Sequence, residues 1–274
     1  MIINFQDSYL FVHIPKCAGE SMKELLISDE NKGVHFLGKH DYLRAALDVM
    51  GSKINDFTTF AVVRNPFSQV VSFYEHLRKP LYVPKAKLKK QYPAFQQALS
   101  PQKTAKLAMK LDFNSWVKEI YLNREKYHEW HGDQLNWLTD KHNILRVDRV
   151  LKFESLNEDF AKLQEELGIK GKLPHKNQSK KLNYQEYYNE ETREIIEREF
   201  KPTLKLFDYN FEEDNTNNKN TISPKEIAAD YLELARLLKA NGNEQKAINA
   251  ARKALAVNPD NREAYELIYE VQKV

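Results

Sequence analysis

The sequence predicts an α/β fold, a parallel sheet flanked by helices, followed by a small all-helical module. Two near-continuous apolar runs, Tyr9 to Ile14 (YLFVHI) and Thr58 to Val63 (TTFAVV), each pass through a short loop into a helical pattern. Strands without polar alternation belong to sheets covered on both faces, and strands alternating with helices pair in parallel. After Pro224 the composition turns to Ala, Leu, Lys and Glu, with small residues at the spacing of helix contacts.

The first strand ends at Pro15, and SMKELLIS begins the helix beyond a loop of small residues. Asp41 to Met50 reads as a helix with Asp41 as its N-cap. The second strand breaks at Arg64-Asn65-Pro66. Phe67, Val70, Val71, Tyr74 and Leu77 then mark an amphipathic helix with Pro66 in its first turn. From Pro80 to Lys110 four prolines interrupt the pattern, which predicts irregular structure and short helices. Helix returns at Asn114 to Asn123, a strand pair is expected around Ile144 to Phe153, and Glu154 to Leu167 is a helix stopped by Gly168. Glu190 to Phe207 reads as one long helix.

Glu212 to Pro224 (EEDNTNNKNTISP) has one apolar residue and reads as a linker. Domains are therefore expected at 1–211 and 225–274, joined by 212–224. In the second, Ala235, Ala247, Ala254 and Pro259 lie 12, 7 and 5 residues apart, which resembles the tetratricopeptide repeat. Ala228 opens that unit, Tyr231 and Leu234 take its larger apolar positions, and Arg262 starts a second unit with Tyr265 in the matching place. So short an array cannot cover its own faces, so it is expected to pack on the main domain, on a protein partner or on a second copy.

Composition narrows the function. The 274 residues hold 42 Lys+Arg, 39 Asp+Glu and one Cys, and 42% are hydrophobic, which is enough for a core and excludes a disordered chain. A single Cys excludes an internal disulfide framework, a Cys-rich zinc site and a CxxC redox pair. No apolar run approaches the roughly 18 residues of a membrane helix. The start, MIINFQDSYLFVHIP, lacks a basic leader, so a cytoplasmic protein without a membrane partner is expected. The net charge of +3 hides a bias, because Arg78 to Lys110 contains nine Lys or Arg and no Asp or Glu. Such a face suits an anionic partner. Its Tyr82, Tyr92 and Phe95 fit an acidic glycan at least as well as single-stranded nucleic acid.

The strongest chemical feature is FVHIPKCAGESMKELL, Phe11 to Leu26. A small-residue loop that ends at a helix N-terminus presents backbone N–H groups and the positive end of the helix dipole, which together favour an anion. Lys16 adds a full charge. That charge attracts a phosphate charge by about 4 kcal/mol at roughly 4 Å and an effective dielectric of 20, against about 0.3–1 kcal/mol for the dipole. The loop is not G-x-x-x-x-G-K-[ST], which argues against a nucleotide kinase.

Phe11 to Leu26 together with Phe60 to Tyr74 (FAVVRNPFSQVVSFY) resembles the two signature elements of sulfotransferases that use 3′-phosphoadenosine 5′-phosphosulfate (PAPS), in particular the carbohydrate-sulfotransferase-like branch. VDRVLKFESL (Val147 to Leu156), LPHKNQSKK (Leu173 to Lys181) and LKLFDYNF (Leu204 to Phe211) resemble later segments of the family. The resemblance implies a P-loop-like parallel sheet flanked by helices. It implies a donor site in which Lys16, Cys17, Ala18, Gly19, Glu20 and Ser21 hold the 5′-phosphosulfate, Arg64 and Ser72 hold the 3′-phosphate, and Asn177 and Ser179 close over the nucleotide. It also implies transfer to a hydroxyl, with a glycan as the expected acceptor, and no metal.

A hydroxyl acceptor needs a general base, and histidine titrates nearest to neutral pH. His40 resembles the position from which family members supply a catalytic His, with His35 second, while Glu154 is read as structural. The catalytic residues are thus expected to be Lys16 and His40. Cys17 is read as a small loop residue facing the phosphates, since direct transfer needs no covalent intermediate. Glu20 departs from the family's Thr or Ser and would repel the donor if it faced it. That departure keeps a second reading open, a catalytically degenerate scaffold that recruits partners through the helical module.

Overall fold

The structure of the protein is a computed structural model that describes residues 1–82, 103–127, 132–174, 183–212, 224–240, 242, 244–257 and 261–272. In chain order the first half contains β1 (Ile2–Asn4), β2 (Tyr9–Val12), α1 (Gly19–Leu26), β3 (Val34–His35), α2 (Leu43–Met50), β4 (Thr58–Val63) and α3 (Pro66–Tyr82). The second continues with α4 (Lys103–Lys110), α5 (Phe113–Leu122), α6 (Leu135–Leu138), β5 (Arg149–Lys152), α7 (Leu156–Leu167), α8 (Glu190–Glu199) and α9 (Lys201–Leu206). After residue 224 come α10 (Pro224–Ala240), α11 (Glu244–Val257) and α12 (Arg262–Gln272).

The sheet runs β3-β1-β2-β4-β5. Three of its strands, β2, β4 and β5, are parallel, as the apolar runs predict for β2 and β4, with Phe11 beside Phe60 and Val62 beside Leu151. β1 adds an antiparallel edge that periodicity does not reveal, since Ile2–Asn4 and Val34–His35 are too short to show a period and are held by pairing with each other. All four residues of β2 are buried, as are the last five of β4. Each large apolar side chain so covered contributes about 1.5–3 kcal/mol.

One core surrounds the sheet, with Met22 and Leu26 of α1 and Phe160 of α7 against it. A second joins α3 to α5 and α8 through Phe67, Trp116 and Ile196. The third lies in the C-terminal helices, where Ala228, Ala235, Ala247, Ala251, Ala254 and Ala264 are fully buried and Leu206 of α9 packs against them. The small residues thus sit at helix contacts, and these C-terminal helices pack against α9. Leu234 and Tyr265, expected inside, are 46% and 55% exposed, and Leu232 turns inward instead.

Three local expectations change. Tyr42, not Asp41, is the N-cap of α2, because the Asp41 carboxylate accepts the Gly38 N–H at 2.6 Å. The strand pair reduces to β5 and a turn, in which Asn143 is left-handed and Thr139 bridges Leu145. The helix from Glu190 breaks at Phe200, whose ring is buried beside Tyr121, and Pro202 cannot donate the N–H that would continue it.

Candidate functional site

In open parallel sheets the C-terminal ends of the strands carry the binding loops. Here β2 and β4 are neighbours, so the loops that leave Val12 and Val63 emerge side by side.

The first loop places Lys16 (φ 65) and Ala18 (φ 55) in left-handed backbone, at a cost of about 1–3 kcal/mol each. Alternation of handedness turns successive N–H groups toward one side, a concavity suited to anions. Ala18 is the N-cap of α1 and offers no side-chain cap, so the first-turn N–H groups receive none from it. Gly19 is required by close approach, since a Cβ there would lie 1.7 Å from Nε2 of His13. Ser21 is buried in the first turn.

Arg64 follows β4. Its Nη1 donates to the Lys16 carbonyl at 3.2 Å, its Nε and Nη2 donate to Ser68 Oγ at 3.0 and 2.8 Å, and its guanidinium lies 4.2 Å from the centre of the Phe153 ring. These bonds use three of the five N–H donors. Burial pulls its pKa down, and Cys17, Glu154 and Tyr209 oppose that shift. The hydroxyl that Arg64 reaches is Ser68 in the first turn of α3. Ser72, expected as its companion, lies one turn further on and is half-buried.

Gln134, fully buried beside α6, fastens the two loops. Its Oε1 accepts the Arg64 N–H at 3.0 Å, and its Nε2 donates to the Arg64 carbonyl at 2.7 Å and to Gln69 Oε1 at 2.9 Å. Gln69 Nε2 in turn donates to the Pro15 carbonyl at 2.9 Å. Cys17 faces this network, with Sγ 3.6 Å from Gln134 Oε1, and burial pushes its thiol pKa far up. Its side chain therefore points into the protein and not, as expected, toward a phosphate. Glu154 accepts the Asn65 N–H at 2.8 Å and the Tyr209 hydroxyl at 2.7 Å, the part of a structural carboxylate.

His40 stands beside the first loop. Its Nδ1 is 3.0 Å from the His13 carbonyl, and a carbonyl only accepts, so Nδ1 carries the proton and Nε2 is the basic nitrogen. The Trp137 indole holds the His40 carbonyl at 3.0 Å. Burial lowers the His40 pKa to about 4, with Lys39 and the N-terminal ammonium adding to the effect, so the imidazole is neutral at pH 7. Glu20 pairs with Lys39, and Lys23 lies 3.6 Å away. Burial raises its pKa, but the two lysines outweigh that and hold the carboxyl below its usual range. His35 is exposed on β3, outside this cluster.

Lys16, Cys17, Ala18, Gly19, Glu20, Ser21, Arg64 and His40 thus gather around the ends of β2 and β4. Asn177 and Ser179 lie outside the described residues, as does most of the basic stretch from Arg78. Among the described residues, no group of three His, Cys, Asp or Glu is placed to hold a metal, and no helix is long and apolar enough to cross a membrane. Sequence reasoning missed Ser68, Gln69, Gln134 and His13. Ser68 and Gln69 follow the Arg-Asn-Pro element and were open to inspection; Gln134 stands in no motif.

Residues 1–210 match the family model described as the sulfotransferase family, and residues 228–270 match that of the tetratricopeptide repeat. No curated protein and no solved structure matches the chain.

Proposed function

Because the chain belongs to the sulfotransferase family, we propose that it moves a sulfuryl group from PAPS to a hydroxyl of a carbohydrate by direct in-line transfer, with His40 as general base. The observation that supports this most is the bond from Arg64 to the Lys16 carbonyl, which joins the two loops at the ends of parallel strands. The donor set fits a nucleotide with phosphates at both ends: a left-handed loop and a helix N-terminus at one side, an arginine fork at the other. Glu20 no longer argues against it, since Lys39 and Lys23 engage its carboxylate.

Bound there, the donor supplies a sulfuryl group on a phosphate leaving group. Lys16 and the α1 N-terminus balance the charge that grows as the S–O bond to the 5′-phosphate breaks. Arg64 has two further N–H donors for the 3′-phosphate, and Ser72 is assigned to the same group. His40 Nε2 takes the acceptor's proton as the new S–O bond forms. Ala18, Gly19 and Cys17 serve through the loop backbone, and Ser21 through the first turn of α1. Asn177 and Ser179 are assigned to the nucleotide from the resemblance alone.

In this reading residues 1–211 are the transfer domain and 212–224 a linker. The repeat in 225–274 engages a protein partner, and the chain works in the cytoplasm. The test is calorimetric titration with adenosine 3′,5′-bisphosphate, with ADP plus magnesium as control, on the wild type, Lys16→Ala and Arg64→Ala. Binding of the bisphosphate alone, weakened in both variants, supports the donor site. Absence of binding sinks it.

A further inference from the structure

His13 has no task in the proposed reaction, yet its ring stands where the parts of the site meet. It follows β2 directly and is 4% exposed, with the Phe11 ring 5.8 Å away on one side. The His40 ring lies 4.5 Å from it at 65°, an edge-on contact. The backbone of Gly19 presses so closely on its Nε2 and Cδ2 that a Cβ there would fall 1.7 and 1.9 Å from them. Its carbonyl is the acceptor for His40 Nδ1. One residue therefore touches His40 through both main chain and side chain, and walls the start of α1.

We propose that His13 is a positioning residue: its buried imidazole holds the ring of His40 against the Gly19 end of the anion-binding loop, so one side chain sets both base and loop. This rests on the reading of His40 as the base and of the loop as the donor site. The reason is steric and dielectric together. A wall on one side of His40 removes rotamer freedom and keeps water from that side, which favours the neutral ring.

The groups around the pair do not all act in one direction. His40, whose ring abuts that of His13, is pushed down after burial by Lys39 and the N-terminal ammonium and raised by the bond to the His13 carbonyl and by Glu20 of α1. His13 is faced by His40, Lys39, the N-terminal ammonium and Lys23. Burial, with these cations, holds His13 well below an ordinary imidazole. His13 thus stays uncharged beside the ring that receives the acceptor's proton.

The experiment is an NMR titration of the ¹⁵N-labelled histidine rings in the full chain, for wild type, His13→Ala and His13→Phe. His13→Ala is expected to move the His40 midpoint upward by about one unit or more, from about 4 toward the ordinary 6.5. The Nδ1–H tautomer is expected to persist, because its acceptor is the His13 main-chain carbonyl, which the substitution keeps. His13→Phe, which restores a ring at the same place, keeps the low midpoint. An unchanged His40 midpoint in His13→Ala overturns the proposal.

If that variant does not fold, Gly19→Ala displaces the His13 ring from the other side. The same shift is then expected, and its absence is equally decisive. Release of adenosine 3′,5′-bisphosphate from the donor, with water as acceptor, separates the two readings in His40→Ala. An unaffected rate alongside a shifted titration in His13→Ala removes the base and leaves the contact standing. A lost rate alongside an unshifted titration does the reverse.

Discussion

Arg64 donates to the carbonyl oxygen of Lys16 across 3.2 Å, so the loop that follows β4 supports the backbone of the loop that follows β2. The two residues are 48 positions apart, and the parallel pairing of their strands brings them together. One guanidinium thereby braces the left-handed turn at Lys16 while its other two bonds reach Ser68 Oγ.

Replacing Arg64 separates charge from geometry. Arg64→Ala is expected to weaken adenosine 3′,5′-bisphosphate binding about tenfold or more. Arg64→Lys recovers only part, because an ammonium cannot span Ser68 Oγ and the Lys16 carbonyl as a planar fork does. Equal binding in Arg64→Lys and wild type, read by calorimetry, would show that charge alone suffices.

Gln134→Leu leaves the Arg64 main chain and Gln69 without the partner that joins them. Each buried polar group so orphaned costs about 1–3 kcal/mol, and the urea midpoint should fall accordingly. A midpoint equal to wild type would remove Gln134 from the framework of the site.

Glu20→Thr removes a carboxylate that Lys39 and Lys23 already engage at a half-exposed site. Such pairs contribute little, about 0–1 kcal/mol, so stability should hardly change. Bisphosphate affinity should stay level or rise. A clear loss of affinity would mean that the ion pair itself shapes the donor site.

The histidines set a pH dependence whose sign follows from their lowered pKa values. Neutral His40 is favoured in the fold and its unfolded counterpart titrates near 6.5, so stability is complete above that value. It is lost as the pH falls from 6.5 toward 4, by the order of 2 kcal/mol for His40 after allowance for its partial exposure. His13 acts in the same direction. Chemical denaturation between pH 7 and 4 measures the loss. With His40 as the proposed base, the acid limb of kcat/KM should likewise lie well below 6.5, and a limb at 6.5 would overturn that assignment.

Cys17 is the chain's single cysteine and is 1% exposed, with its thiol pKa raised by burial. Ellman's reagent at pH 8 is expected to leave the native protein unlabelled and to react with one thiol in urea. Rapid native labelling would place the thiol at the surface.

Local chemistry made much of this legible from the chain. The apolar runs at Tyr9 and Thr58 had to be covered strands, the loop from Pro15 to Ala18 had to deliver N–H groups and the Lys16 charge to a helix start, and Ala228 to Ala254 had to be helix contacts. The short strands β1 and β3 escaped, because two or three residues carry no period and exist only by pairing.

Residue type, spacing and backbone preference act over a few positions, and the motifs they form carried the resemblance to the sulfotransferase family, which the family match over residues 1–210 bears out, together with the expectation of an anion site at the first loop with His40 beside it. The partners were decided by strand order: Gln134 meets Arg64 from 70 positions away, His40 meets His13 from 27, and Lys39 draws Glu20 aside. No local rule selects such contacts, because a side chain bonds whatever the packed sheet and helices bring within reach. Burial, which keeps the His40 imidazole neutral and pushes the Cys17 thiol pKa up, likewise arises only once the whole chain has closed around them.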